Sequence, residues 1–154
     1  MRPRPRMVEG LALYLQVLAF KLLLSGVDPG SLRFVIPVGR APSAAEVIRE
    51  IDIARASLRG SWKSRLPIGV GFFGYELDAQ PQMVKILDSV LSHGVRAIWL
   101  SFGEDLGKWI QCIREDDADR GTDRTLIFAQ LPTAADAFKA SAEWDLDAIV
   151  LQGW

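Results

Sequence analysis

The chain has 154 residues, enough for one domain with a real core and too few for two comfortable ones. It is 49% hydrophobic and 24% charged with a net charge of −1, which suits a soluble globular domain and gives no electrostatic case for nucleic acid or an anionic surface. One cysteine, Cys112, excludes an internal disulfide, and one histidine, His93, leaves little for a His-based metal site or a catalytic triad, so composition implies a cytoplasmic domain without a metal.

Residues 1–30 stand apart. "MRPRPR" is basic and extended, because prolines at 3 and 5 keep their predecessors out of the helical region. "MVEGLALYLQVLAFKLLLSGV" then predicts a helix that is apolar nearly all round. An arginine-rich front and an apolar middle are also the marks of a targeting segment or anchor. Glu9, Gln16 and Lys21 interrupt the run, so it holds no 18 uncharged apolar residues, and no small-x-small cleavage site follows. A buried helix is the favoured reading, a membrane is not an expected partner, and an N-terminal targeting segment stays open.

From residue 31 the chain alternates. Apolar runs at 32–38, 67–73, 96–102, 125–131 and 147–153 are rich in β-branched or aromatic residues without polar alternation, as strands of a parallel sheet covered on both faces are. Between the first two, "PSAAEVIREIDIARASLRG" opens with Ser43 and Glu46 in capping-box spacing and carries Val47, Ile51 and Ala54 as one stripe. "QPQMVKILDSVLSHG" has Pro81 near its first turn and Gly94 past its last. "EDLGKWIQCIRE" and "TAADAFKASAEW" follow, the latter with Thr133 as cap. Strand starts lie 22 to 35 residues apart, and a (β/α)₈ barrel spends about 31 residues per unit. An open doubly wound sheet has a similar pitch, so the period alone does not choose. A barrel would need three more strands than are visible, which predicts an incomplete barrel of about five parallel strands over residues 31–154.

"GVGFFG" places Gly69, Gly71 and Gly74 in G-x-G-x-x-G spacing. In a dinucleotide site the glycines follow the strand and the third opens a helix. Here Gly69 and Gly71 lie inside the apolar run, and "YELDAQP" is expected to separate Gly74 from the next helix. Glycine at alternate strand positions instead removes side chains from one face, which admits a flat cofactor or a tight packing contact.

Together "PIGVGFFGYELD", "GVRAIWLSFGED", "TLIFAQLPTAADA" and "DLDAIVLQGW" resemble the nitronate monooxygenase family, formerly the 2-nitropropane dioxygenases, over about residues 33–154. The resemblance implies a flavin-dependent (β/α)₈ barrel. It implies FMN at the C-terminal strand ends, and oxidation of alkyl nitronates by O₂ to a carbonyl compound and nitrite. Gln152 matches a flavin-contacting position at a strand end, Gln130 another polar position facing the cofactor, and Gly71 a position near the flavin where it offers room or a backbone contact. The family's catalytic histidine belongs to a Gly-Gly-His segment soon after the "QG" pair. Since the chain stops at Trp154, no catalytic residue is expected within it, and the ending reads as a cut. The resemblance leaves two alternatives: a related flavin-dependent enoyl-thioester reductase, and a non-catalytic degenerate fragment. The oligomeric state is not legible.

The remaining candidates have plainer readings. His93 is expected at a helix end on the face that serves stability, Cys112 as a small core residue, and the carboxylate-rich 114–123 as a solvated turn rather than a calcium loop. Trp62, Trp99, Trp109 and Trp144 fit core and helix-packing positions.

Overall fold

A computed structural model describes residues 19–20, 32–35, 43–57, 65–121 and 123–152. Its strands are Ala19–Phe20 (β1), Leu32–Val35 (β2), Leu66–Phe73 (β3), Val95–Ser101 (β4), Leu126–Leu131 (β5) and Ala148–Leu151 (β6). They form one sheet in the order β1-β2-β3-β4-β5-β6. β1 meets β2 antiparallel, and the four later pairings are all parallel. Among the described strands the order does not reverse, so they form no crevice of the kind that marks a doubly wound fold.

A parallel neighbour can be reached only by a crossover. The crossovers are helices Ala44–Ser57 (α1), Gly74–Ala79 (α2) with Pro81–Ser92 (α3), Leu106–Arg120 (α4) and Ala134–Glu143 (α5). Because such crossovers are right-handed, successive ones in an unreversed order fall on the same face. The burial pattern agrees. One apolar cluster joins Val47 and Ile51 of α1, Leu77 of α2, Ile86 and Val90 of α3, Ile110 and Ile113 of α4 and Ala140 of α5 to alternate strand residues such as Ile68, Val70, Ile98 and Ile127. The opposite face holds a separate cluster of Ala97, Trp99 and Phe128, with Leu126, Ala148 and Val150 packed against it.

Local signals explain the helix ends. Ser43 N–H donates to Glu46 Oε2 at 2.7 Å and Glu46 N–H returns to Ser43 Oγ at 3.2 Å, the reciprocal bonds of a capping box. Thr133 Oγ1 accepts from Asp136 N–H at 3.1 Å, Pro81 opens α3, and Gly94 follows it with φ +69°. Of the predicted N-terminal helix only Ala19–Phe20 is described, and there the chain is extended and paired with Arg33 and Leu32; the rest of that segment, and Trp62, lie outside the described residues. No helix among the described residues is long and apolar enough to cross a membrane.

Three expectations are corrected. A helix does begin at Gly74: "GYELDA" makes a short helix that stops at Gln80, held extended at φ −127° and ψ 103° by the proline after it. The stretch from Arg114 to Arg120 is not a turn but the second half of α4, which ends at Gly121 with φ 57°. Leu106, Ile110, Ile113 and Asp117 recur at helical spacing and are all buried, so Asp117 takes a core position. Cys112, two residues from Ile110 and therefore on the far side of that helix, is exposed rather than core.

Asp117 is tolerated inside because it is fully engaged. It lies 2.7 Å from Arg65 Nη2 and 3.1 Å from Arg114 Nη1, and accepts from Thr125 N–H at 2.9 Å and Thr125 Oγ1 at 2.6 Å. Arg114 continues to Asp147 at 2.7 Å, and Asp147 accepts from Ile127 N–H at 2.8 Å. Arg65 also donates to Val95 O at 3.3 Å. The network thus ties the N-terminal ends of β3, β4, β5 and β6 to α4. Asp117→Ala would take the carboxylate from the buried Arg65 and one acidic partner from the half-buried Arg114, and is expected to cost about 3–5 kcal/mol. Asp145→Ala, which removes the exposed partner of Arg124, is expected to cost under about 1 kcal/mol. Urea midpoints at unchanged slope would measure both, and similar losses would contradict the burial argument.

Candidate functional site

The sheet face away from the helices is built from the other parity of each strand. The register aligns Gly71, Trp99, Phe128 and Ala148 in one row across β3 to β6. One step toward the C-terminal ends, Phe73, Ser101, Gln130 and Val150 form the next row. Gln152 follows Val150 on the same parity, its N–H held to Leu131 O at 3.1 Å.

Trp99 and Phe128 stack almost parallel, with centroids 6.0 Å apart and planes 5° apart. Gly71 beside Trp99 contributes no side chain, so the first row is bulky over β4 and β5 and carries only backbone over β3, where Gly71 is buried. Trp99 Nε1–H donates to Gln130 Oε1 at 3.2 Å, and Gln130 Nε2–H donates to Gln152 Oε1. The direction is fixed by chemistry. An indole only donates, so the Gln130 carbonyl must face it, the Gln130 amino group must face Gln152, and the Gln152 amino group is left at the end of the relay. It has no partner among the described residues.

All three residues expected from the sequence therefore share one face. Gln130 and Gln152 are bonded to each other, and Gly71 lies one row below, beside the Trp99 that orients them. Trp99 was legible only as a core residue. Its run "AIWLS" is apolar throughout, and the parity it shares with Ser101 emerges once the register is known.

Toward the strand ends the face becomes aromatic on the β3–β4 side. Phe73 stacks on Tyr75 at 5.5 Å with planes 8° apart and meets Phe102 at 5.6 Å and 55°. Phe102 has φ 52°, a left-handed backbone that few side chains adopt. The start of α2 and the loop after β4 are bound together, since Tyr75 N–H donates to Phe102 O at 3.0 Å. Gly74 and Gly103 allow it: a Cβ on Gly103 would stand 2.9 Å from Gly74 Cα and 2.8 Å from Leu106 Cδ2.

Electrostatics at this end are weak. Burial raises the Glu76 carboxyl above its ordinary range, while hydrogen bonds from Lys108 and Trp109 hold Asp78 below it. Lys108 Nζ lies 2.6 Å from Asp78 Oδ1, which pins α2 to α4 on the helix side. His93 caps α3 with its Nδ1 2.7 Å from Ser89 O, at the end of the sheet away from the glutamines. The Cys112 thiol is raised by partial burial and by Glu115, Asp116 and Asp88, which opposes thiolate chemistry. Among the described residues no His, Cys, Asp and Glu group is arranged to hold a metal ion.

Comparison with protein-family models, with curated proteins and with solved structures finds no match to this chain.

Gln130→Leu would leave the Trp99 N–H buried without its acceptor and is expected to cost about 1–3 kcal/mol, with a shift of the indole N–H resonance. Gln152→Leu, at the open end of the relay, is expected to cost less than about 1 kcal/mol and to leave that resonance nearly in place. The reverse order in urea and NMR measurements would refute the direction of the relay. Gly103→Ala is expected to lower stability by about 1–3 kcal/mol, read as a lower Tm, because backbone rather than a flexible side chain stands in the way.

Proposed function

We propose that the described sheet is an arc of a (β/α)₈ barrel whose inner face binds the isoalloxazine of FMN, and that the protein is a nitronate monooxygenase oxidising alkyl nitronates with O₂. The barrel reading is supported by the sequential order of the described strands, by the described helices packing on one face, and by a separate cluster of strand side chains on the other. The resemblance of "AIWLSFG" and "DAIVLQG" to that family supplies the chemistry.

One observation carries the cofactor: the relay from Trp99 through Gln130 to Gln152 at the C-terminal strand ends, with Gly71, which has no side chain, one row beneath it. The polar edge of an isoalloxazine alternates acceptors with one N–H donor, and a carboxamide carries both a donor and an acceptor. The residues fit that edge. Gln152 would present its free amino group, Gln130 would hold Gln152 in place, and Trp99 and Phe128 would floor the site and exclude water. When bound, FMN supplies the redox chemistry between nitronate and oxygen, and the protein supplies orientation and a dry, polarised surface.

The phosphate finds less. Residues 130–135 and 150–152 carry no cation, and Lys108 is engaged by Asp78. The 154-residue chain is therefore expected to bind riboflavin and FMN about equally, and too weakly to retain either through gel filtration, because ring contacts without a phosphate anchor lack a charge-assisted bond. Titration by flavin fluorescence tests this. Similar affinities that both fall about tenfold in Gln152→Leu support the proposal, a tenfold loss being about 1.4 kcal/mol for one lost bond. No fluorescence change with either flavin would refute it.

A further inference from the structure

The aromatic end of the inner face has a shape and a charge balance that the flavin reading does not use. Phe73 lies in the same row as Ser101 and Gln130, so its ring stands beside the relay rather than among the helices. Tyr75 and Phe102 extend it outward and are 55% and 49% exposed. Exposed apolar residues are ordinary when single. Here two are packed onto a third, and one is held at φ 52°, a conformation that costs energy and recurs at ligand sites. The hydrogen bond from Tyr75 to Phe102 fixes the pair, so the wall is built before any ligand arrives.

The charges point the same way. In residues 73–80 and 101–109, which form this end of β3 and β4, the one cation is Lys108, and it is paired with Asp78. Glu76, Glu104 and Asp105 lie in the same two segments. A second negative charge on a substrate would meet like charge and apolar rings, and its desolvation would go uncompensated. The single delocalised charge of the nitronate group itself carries a smaller desolvation cost than two charges would.

We infer that Phe73, Tyr75 and Phe102 form the substrate wall, and that it selects nitronates with an uncharged alkyl or aryl chain against nitronates that carry a carboxylate. The wall rests on its own geometry; the naming of the bound group as a nitronate rests on the function proposed above.

The test titrates the intact chain anaerobically, with and without riboflavin, using butyl 1-nitronate and propionate 3-nitronate and following the Tyr75 and Phe102 ring resonances by NMR. Butyl 1-nitronate is expected to bind at least about tenfold more tightly, since an apolar pocket discriminates on that scale. Tyr75→Ala should erase most of that preference, and Tyr75→Lys, which adds a countercharge at an exposed position, should reverse it. Equal affinities, tighter binding of the carboxylate probe, no binding of either, or an unchanged preference in Tyr75→Lys would overturn the inference. The two proposals fail separately. Flavin binding without alkyl preference removes the wall and leaves the cofactor site, whereas alkyl preference at Tyr75 and Phe102 without flavin binding does the reverse.

Discussion

Right-handed crossovers in an unreversed strand order constrain everything else in this molecule. Each helix that returns the chain to the start of the next strand must lie on the same side of the sheet, and the described helices do pack on one face. The helix side is sealed by mostly aliphatic residues from five helices and from β3, β4 and β5. The described strands present on the other side Gly71, Ala97, a stacked Trp99 and Phe128 that are themselves buried, and two glutamines toward the strand ends.

The two ends of the sheet divide the remaining work. At the N-terminal ends of the strands, Arg65, Arg114, Asp117 and Asp147 form a buried network that satisfies its members and fixes four strand starts against α4. Such a network stabilises less than its many bonds suggest, because each charge was desolvated to enter it. Its larger effect is on register, since a slipped strand would leave a buried arginine unpaired. At the C-terminal ends the described residues form no buried ionic network of that kind. Gly74 at the start of α2 meets Gly103 after β4, Phe102 is held in a left-handed conformation, and the polar groups of the relay are uncharged amides. The rigidity at one end allows loose, exposed and strained residues at the other, the usual placement of function in a parallel β/α fold.

The sequence made much of this legible because the signals were local. The β/α alternation, the caps at Ser43 and Thr133 and the ends at Pro81 and Gly94 follow from residues within one or two turns, and each is found in place. Gln130 and Gln152 were singled out by resemblance and lie on one face in hydrogen-bond contact. What was not legible depends on distant partners. Asp117 looks solvated until Arg65 and Thr125, 52 and 8 residues away in sequence, are brought to it. "YELDAQP" reads as a loop because its helix depends on a buried Leu77 and on the close approach of Gly74 to Gly103. Cys112 was misplaced because an apolar run on a helix does not announce its inward side until the stripe of Leu106, Ile110 and Ile113 is set.

The relay on the inner face shows why a strand register carries chemical information that a motif cannot. Three side chains separated by 31 and 22 residues are aligned because parallel strands place equal steps side by side. The donor-only indole at one end then sets the orientation of every amide after it. A leucine in place of Trp99 would leave Gln130 free to flip, and Gln152 would present a carbonyl as readily as an amino group. With tryptophan there, the outermost group is a donor. A donor at the strand ends favours a ligand that is planar, weakly charged and rich in acceptors. The flavin ring and small nitronate proposed above are of that kind.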